Sequence, residues 1–455
     1  MDIKSLPVEF LNNMREMLGE NYGEYISYME TAKPRRGLRV NTLKTDIDEF
    51  EKIFPFELSK SPFSDDGYYL PAEGAYGSHP YHHAGLYYMQ EPSAMSVVSL
   101  IKPYIGKRVL DMCAAPGGKS SYLAGLMQND GILFLNEYVF SRAKILVGNM
   151  ERMGVRNAVI TNNSPKDIAR LYPSFFDTVI VDAPCSGEGM FVKEESAITS
   201  WNAKNVATSA ERQFAILNSA YEVLSPYGYM VYSTCTLNKI ENEGVIKRFL
   251  KAYPDMKIVE PHSELKNNVL SGFDGLENAI RIFPHKHIGE GHFACLMQKT
   301  GGRDMNIKFS DTYTHIKADN ECRELYSSLT GELPPDRFFE HNSRLYDIGF
   351  EVPYVKGINL VKCGVTFAER ANKRIVPHHN IATIAKRNTP RNSISFPAES
   401  IEIKKYLVGE TLNVSADFKG YGVIEADGYP LGIIKSSDGA IKNHYPKGLR
   451  NVNGK

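Results

Sequence analysis

The chain has 455 residues, of which 42% are hydrophobic and 23% charged, a composition that is ordinary for a protein with packed cores. Its 53 basic and 53 acidic residues cancel, so the total charge neither favours nor excludes a nucleic-acid partner. No apolar run reaches the length of a membrane span of about 18 residues, and the first residues lack a secretion signal. Two to four domains in the cytoplasm are therefore expected.

The first part of the chain combines a helical pattern with a basic run. Apolar side chains recur at helical spacing over residues 1–30, which predicts an amphipathic helix. Basic side chains then crowd residues 33–44. Such a run is either a solvated loop or a surface that contacts nucleic-acid phosphates. Further on, the histidines at 79, 82 and 83 fit no common metal site and have no cysteine nearby, so no metal is expected.

A regular β/α alternation begins after Pro92, a residue that suits the first turn of a helix. The first strand, Arg108-Val-Leu-Asp-Met, leads into a glycine-rich turn. This turn is not a P-loop, because Cys113 occupies the position of the first glycine. A turn of this kind lets a ligand approach the backbone, and the following helix favours a carboxylate such as that of S-adenosylmethionine. The residues assigned to this cofactor loop are Cys113, Ala114, Ala115, Pro116, Gly117, Gly118 and Lys119.

The second predicted strand, residues 131–137, ends on an acidic residue. Glu137 follows the glycine-rich turn by about twenty residues, where related folds bind ribose hydroxyls. The alternative is an ordinary acid at the start of a helix. The third strand, residues 157–161, is followed by Asn163. Glu137 is therefore the predicted ribose ligand.

Two later strands each end in a polar turn that holds a cysteine. The run Val179-Ile-Val-Asp182 leads to Cys185, and Gly228-Tyr-Met-Val-Tyr-Ser-Thr leads to Cys235. If the strands are neighbours, both thiols reach one crevice, where open α/β sheets place their chemistry. Taken alone, Cys185 is explained equally well as a small buried residue. A metal or disulfide is disfavoured, because the cysteines lie about fifty residues apart without a C-x-x-C pair or a secretion signal.

Asp182-Ala-Pro-Cys-Ser-Gly and Tyr232-Ser-Thr-Cys-Thr resemble the two cysteine motifs of the Nop2/Sun RNA 5-methylcytosine methyltransferases. The resemblance covers nearly the whole chain, which is similar to the bacterial RsmF branch acting on small-subunit (16S) ribosomal RNA. It implies an α/β fold with a Rossmann-like, class I S-adenosylmethionine-dependent methyltransferase domain. The implied domains are an N-terminal RNA-binding α/β domain (1–90), the catalytic domain (91–300), a linker or intermediate α/β region (301–390) and a C-terminal PUA-like small β-barrel that binds RNA (391–455).

The resemblance also implies roles for individual residues. Cys235, in the second motif, attacks the target cytosine, and Cys185 assists release. Asp182, which also borders the cofactor, donates to ring nitrogen 3 from a dry site where a carboxyl stays protonated. Arg142 borders the cofactor. Asn163 stands where the family usually has an acid that contacts the adenine amino group, and its amide oxygen can accept that hydrogen bond without charge.

RNA contacts are implied at both ends of the chain, in Leu38-Arg-Val-Asn-Thr-Leu-Lys44 and near the C-terminus. The residues expected to contact RNA are Arg36, Arg39, Asn41, Lys442, Tyr445, Lys447 and Arg450. The expected partner is small-subunit ribosomal RNA or the 30S subunit. The protein is expected to be a monomer that binds neither a metal ion nor a membrane.

Other functions remain open at this point. Transfer RNA is the alternative substrate for the same reaction. A ribose methyltransferase needs no cysteine, and a DNA cytosine enzyme usually uses only the cysteine of the first motif. A non-catalytic ribosome-assembly factor would keep the fold, but the chain retains Asp182, Glu137 and both cysteines.

Overall fold

Four β-sheets follow one another along the chain, and one strand breaks this order. The computed structural model describes residues 2–450 except 304, 306, 308, 310–313, 342, 372, 373 and 438. None of the helices formed by these residues combines the length and apolar character needed to cross a membrane.

The N-terminal domain packs short helices against a four-stranded antiparallel sheet. Its elements are α1 (Val8–Leu18), α2 (Tyr22–Thr31), β1 (Arg36–Val40), α3 (Ile47–Ile53), β2 (Ser59–Lys60), β3 (Gly67–Leu70), α4 (Pro80–His83) and β4 (Tyr87–Met89), in the sheet order β2-β3-β1-β4. The predicted single helix is two helices, because Gly19 has a φ of 54° and ends α1. The apolar face of α1 reaches the next domain, where Phe10 packs edge-on against Phe191 and Trp201.

The catalytic domain is built on a parallel sheet with antiparallel strands at its ends. Its helices are α5 (Pro92–Ile101), α6 (Gly118–Met127), α7 (Phe140–Arg152), α8 (Pro165–Leu171), α9 (Glu195–Ser200), α10 (Ala203–Val223), α11 (Glu243–Ala252) and α12 (Ser263–Lys266). Its strands are β5 (Arg108–Asp111), β6 (Ile132–Asn136), β7 (Ala158–Thr161), β8 (Phe176–Asp182), β9 (Leu224–Thr234), β10 (Met256–Ile258), β11 (Leu270–Ser271), β12 (Ile280–Ile282) and β13 (His292–Lys299).

Five of these strands, β7-β6-β5-β8-β9, run parallel in that order, and β13 adds to β9 in the antiparallel direction. Helices cover both faces of the sheet. Val179 and Val181 point into one apolar core and Ile180 into the other, which explains the uninterrupted β-branched run. The predicted Rossmann-like domain is confirmed.

Side-chain hydrogen bonds shape the chain at the start of α5 and just before α11. Pro92 begins α5 as predicted, and Glu91 caps it by accepting a hydrogen bond from the Ala94 N–H at 3.0 Å. The helix α11 begins at Glu243. The Asn238 side chain accepts a hydrogen bond from the Glu241 N–H at 2.8 Å and forms a separate turn ahead of the helix.

The middle region forms its own five-stranded antiparallel sheet. Its elements are β14 (Thr314–Lys317), α13 (Asn320–Thr330), β15 (Arg337–His341), β16 (Arg344–Asp347), β17 (Leu360–Cys363), β18 (Val365–Ala371), β19 (Arg374–Pro377) and α14 (His379–Ile384). The strand β17 is not part of this sheet. It leaves the region and pairs antiparallel with β7, so the catalytic sheet includes a strand from beyond residue 300.

The C-terminal domain contains a four-stranded sheet and one helix. Its elements are β20 (Ser393–Phe396), α15 (Ile401–Val408), β21 (Gly420–Ala426), β22 (Tyr429–Ser437) and β23 (Ala440–Asn443). Asp427 and Gly428, both at positive φ, form the tight turn between β21 and β22. This domain packs against the N-terminal one: Tyr81 donates a hydrogen bond to Asp427 at 2.9 Å, and their apolar residues form one core. The two ends of the chain therefore meet in space.

Candidate active site

The two cysteine motifs lie side by side at the carboxyl edge of the sheet. The strands β8 and β9 are parallel neighbours with Asp182 in register with Ser233, so the turns after them leave the sheet together. The sulfur atoms of Cys185 and Cys235 are 3.3 Å apart. This distance exceeds the disulfide bond length of about 2.05 Å, so the two residues are free thiols in contact. The sequence predicts this juxtaposition.

The two thiols differ in their surroundings. The hydrogen bond to Cys235, together with burial, holds the pKa of the Cys185 thiol well above its usual range. Cys185 therefore keeps its proton and can donate to its neighbour. Burial opposes the charge of Lys119, but Asp182 and, to a smaller extent, Cys235 raise the pKa of this ammonium, so the cation lies within electrostatic range of the second thiol.

Asp182 is ionised in this structure, which differs from the expected protonated carboxyl. Lys119 donates to Asp182 Oδ2 at 2.8 Å, and Ser233 donates to Oδ1 at 2.8 Å. Burial by itself would raise the pKa of Asp182, but the Lys119 charge, His292 and these hydrogen bonds leave it below its ordinary value. The carboxylate therefore accepts hydrogen bonds in the resting site.

His292 lies in the same cluster and was missed by the sequence prediction. It is buried, and neither ring nitrogen has a hydrogen-bond partner among the described residues. Burial and the nearby Lys119 charge lower its pKa to about 3, so its imidazole is neutral. Phe293 is in register with Thr234, which brings the start of β13 to the end of β9 that carries Cys235. An isolated histidine carries no spacing pattern that could have identified it.

Two buried glutamates hold the cysteine turns together, and sequence reasoning missed both. Glu241 accepts hydrogen bonds from the Ser186 N–H at 3.0 Å and from Gln213 at 2.7 Å. Glu188 accepts from the Leu237 N–H at 2.9 Å and from Trp201 at 2.9 Å. Each carboxylate therefore ties the turn that follows one strand to residues of the turn that follows the other.

A buried ion pair supports the turn that carries Cys235. Arg281 donates to both oxygens of Glu243, at 2.7 and 2.6 Å, and to the Leu237 carbonyl at 2.7 Å. Both side chains are 1% exposed. We expect Arg281→Met to destabilise the protein by about 3–5 kcal/mol, because it leaves the Glu243 charge buried and unpaired.

The measurement for this ion pair is the shift in the urea midpoint of the unfolding transition. The matched control is the double variant Arg281→Met/Glu243→Met, which replaces the pair by apolar side chains and should recover most of the loss. A double variant as unstable as the single one would contradict the explanation.

A separate cleft lies at the start of α6. Its volume is about 200 Å³, and its walls include Asp111, Gln90, Asp182 and most of the predicted cofactor loop: Cys113, Ala114, Ala115, Pro116, Gly118 and Lys119. Gly117 lies at a φ of +111° beside this cleft, and a Cβ there would approach Met150 to 2.8 Å. The positive φ of the backbone therefore explains the glycine at this turn.

The polar atoms around this cleft fit S-adenosylmethionine. Asp111 Oδ1 is a buried acceptor without a hydrogen-bond partner among the described residues, and Glu137 Oε2 is a buried acceptor that forms an ion pair with Arg142 but no hydrogen bond there. An amino acid end and ribose hydroxyls are donors that would satisfy them. Arg142 donates to the Ala115 carbonyl at 2.7 Å and lies 3.4 Å from Glu137 Oε2, and its contact with the cofactor stays a prediction.

Asn163 is fixed by the middle region. Its Oδ1 atom lies 3.1 Å from the backbone nitrogen of Asn359, just before β17. A backbone N–H only donates, so the side-chain atom facing it is the oxygen. The acceptor assigned to adenine is therefore already in use, and one lone pair remains for a second donor.

The predicted RNA-binding residues separate into exposed and buried groups. Arg36, Lys442 and Lys447 are exposed. Arg450 is half-buried and donates to the Tyr445 carbonyl at 3.2 Å. The remaining three, Arg39, Asn41 and Tyr445, are buried.

The buried group joins domains, which corrects the expectation of a phosphate-binding surface at these positions. Arg39 donates to Ser121 of α6 at 2.8 Å and lies over the Tyr122 ring. Asn41 donates to the Met153 carbonyl at 2.8 Å. Tyr445 shares a hydrogen bond of 2.8 Å with His83. In this conformation such side chains hold the terminal domains in place and do not face solvent.

The histidines at 79, 82 and 83 are also used for packing contacts. His79 accepts a hydrogen bond from the Tyr81 N–H at 3.1 Å and pairs with Glu399. Within the described ranges, no three histidine, cysteine or acidic side chains lie close enough together to hold a metal ion.

Three family models match the chain in order. They are the N-terminal domain of 16S rRNA methyltransferase RsmF over residues 6–92, 16S rRNA methyltransferase RsmB/F over 98–298, and the methyltransferase RsmF PUA domain over 393–451. The expected methyltransferase and PUA-like domains are thereby confirmed.

Relatives that align over nearly their full length carry the name of the same family. The ribosomal RNA small subunit methyltransferase F of Vibrio vulnificus is 31% identical and is aligned over 98% of this chain and 97% of its own length. That of Erwinia tasmaniensis is 30% identical, over 97% and 96%.

Solved structures match about two thirds of the chain. A methyltransferase homologue from Pyrococcus horikoshii is 30% identical with a TM-score of 0.57, covering 66% of this chain and 100% of that one. NSun6 from the same organism, crystallised with SFG, shares the fold at 21% identity and a TM-score of 0.58, with the same coverage. The family models and the full-length relatives together place the chain in the RsmF family of small-subunit ribosomal RNA methyltransferases.

Proposed function

We propose that this enzyme transfers a methyl group from S-adenosylmethionine to carbon 5 of a cytosine in 16S ribosomal RNA, through a covalent adduct with Cys235. The observation that carries this proposal is the pair of free thiols at 3.3 Å, with Cys185 held protonated and Lys119 beside Cys235. Neither a ribose methyltransferase nor an assembly factor needs such a pair. The ribosomal substrate implies a cytoplasmic site of action.

The chemistry requires a nucleophile on the protein. Carbon 5 of cytosine is too weakly nucleophilic to take a methyl group directly. When the Cys235 thiolate adds to carbon 6, a carbon–sulfur bond forms and electron density becomes available at carbon 5. S-adenosylmethionine, when bound, supplies the electrophilic methyl group.

The Lys119–Asp182 pair is placed to stabilise the charge that this addition creates. Attack at carbon 6 moves electron density onto ring nitrogen 3. We assign to Lys119 the donation toward this nitrogen and to the Asp182 carboxylate the acceptance of a hydrogen bond from the exocyclic amino group. This division follows from the ionised state of Asp182, since a carboxylate cannot donate.

Release of the product reverses the addition. Solvent water takes the proton from carbon 5, and the electron pair of that C–H bond forms the ring double bond again. The bond between carbon 6 and the Cys235 sulfur breaks with its electron pair on sulfur. The departing thiolate needs a donor. The protonated Cys185 thiol, 3.3 Å away, supplies it by a hydrogen bond to sulfur.

Labelled S-adenosylmethionine tests the reaction and the substrate together. Unmodified small ribosomal subunits, naked 16S RNA and bulk transfer RNA are offered side by side, and labelled cytosines are mapped. We expect label at cytosine in 16S RNA or the subunit. Label only in transfer RNA would overturn the substrate but keep the chemistry, and label on ribose would overturn both.

Cofactor affinity should depend on pH through Asp111. Burial raises the pKa of this carboxyl to about 7, and Asp182 adds to the effect while Ser120 and Lys119 oppose it. Above that pH the free Oδ1 is charged and attracts the amino group of the cofactor. Below it the carboxyl is neutral, so the affinity for S-adenosylhomocysteine should fall about tenfold from about pH 8 to about pH 6.

Calorimetric titration at several pH values measures this effect. Asp111→Asn should bind more weakly than the wild type at about pH 8 and should lose most of the pH dependence. A wild-type affinity that does not change across this range would contradict the role of Asp111.

A further inference from the structure

A second cavity opens beside the cysteines and is distinct from the cofactor cleft. Its volume is about 310 Å³, within the range of small-ligand sites. Cys185 and Ser186 form one side of it. The two cavities share no lining residue, and the Asp182-Ala-Pro-Cys185 turn contributes one end to each. A cytosine that reaches the thiols from solvent would therefore have this cavity next to it.

Another part of the lining comes from the long helix α10. Asn205, Thr208, Ser209 and Arg212 line the cavity. Their spacing of three, four and seven residues from Asn205 places them on a single helical face. Side chains with hydroxyl, amide or guanidinium groups commonly donate hydrogen bonds to phosphate oxygens in nucleic-acid complexes. No acidic residue contributes to the walls.

Arg212 is available for a ligand. It is exposed and forms no ion pair with any residue in the described part of the chain, whereas the adjacent Glu211 is paired with Arg248. A guanidinium without a carboxylate partner, in a cavity that also holds three polar side chains of α10 and the Cys185 thiol, has the chemistry of a phosphodiester site.

We infer that this cavity binds the phosphodiester of a nucleotide next to the target cytosine, and that Arg212 is the residue that contacts it. The base must leave its stack to reach Cys235, and a fixed neighbouring phosphate holds the strand while it does so. This inference rests on the proposed function, because it assumes that an RNA strand enters the site.

Two variants test the cavity through RNA binding to naked, unmodified 16S RNA. Ser209→Glu places a carboxylate inside it and should weaken RNA affinity about tenfold through repulsion of the phosphate. Ala207→Glu is the matched control, because it adds the same charge to an exposed position of the same helix outside the cavity. Arg212→Ala should reduce the slope of log affinity against log salt by about 1, the loss of one phosphate contact.

All variants should bind S-adenosylhomocysteine like the wild type, which shows that they are folded. The inference would be overturned if Ser209→Glu and Ala207→Glu bound RNA equally well and Arg212→Ala left the salt slope unchanged. The proposed function would still stand in that case, provided that the wild type methylates RNA. A wild type that methylates no RNA would overturn both.

Discussion

Replacing Cys235 by alanine should reduce methyl transfer by at least about 10⁴-fold, because the reaction has no other route to a nucleophilic carbon 5. The Cys185 thiol cannot substitute. In the wild type, the hydrogen bond to Cys235 and burial raise the pKa of Cys185 well above its usual range. Burial remains in the variant after the hydrogen bond is lost, so Cys185 stays a thiol. The measurement is incorporation of labelled methyl groups into 16S RNA under single-turnover conditions.

Two controls separate chemistry from folding for this variant. Cys322→Ala removes a cysteine of the middle region and should keep full activity, and Cys235→Ala should retain its affinity for S-adenosylhomocysteine. A stable covalent RNA complex formed by Cys235→Ala would reverse the assignment and make Cys185 the nucleophile.

Replacing Cys185 by alanine should have the opposite signature: addition and methyl transfer proceed, but the RNA stays attached. The variant loses the S–H group that donates to the departing Cys235 sulfur. Loss of such a proton-donating group slows a step by about 10²–10⁴-fold, so the methylated adduct should accumulate.

A denaturing gel detects this adduct as a band that carries both protein and labelled RNA. The double variant Cys185→Ala/Cys235→Ala is the matched control and should form no such band. Rapid release of methylated RNA by Cys185→Ala would show that another group assists the elimination.

The sequence was sufficient to predict the meeting of the two thiols. Each motif combines an apolar β-branched run with a polar turn, and in a parallel sheet such turns share one edge. The positions of Cys185 and Cys235 follow from local patterns, since each strand carries its own cysteine. The glycine-rich turn before α6 was equally predictable, because the positive φ of Gly117 is a local property of the backbone.

Properties that depend on distant residues could not be predicted in the same way. Asp182 is ionised because Lys119, from another turn, donates to it. Arg39 and Asn41 lie in a basic segment that resembles a nucleic-acid surface, yet α6 and the Met153 carbonyl cover them. The type of a residue determines the charge and the hydrogen-bonding capacity of its side chain. The burial of that side chain depends on contacts with a neighbouring domain.

The pairing of β17 with β7 has a consequence for how the protein is made. A ribosome synthesises about 200 residues between these two strands, and during this time the nascent catalytic sheet lacks its last strand. The Asn359 N–H that fixes the Asn163 side chain emerges in the same late stretch. Co-translational folding thus completes the sheet, and with it the loop that carries Asn163, only after most of the middle region has left the ribosome.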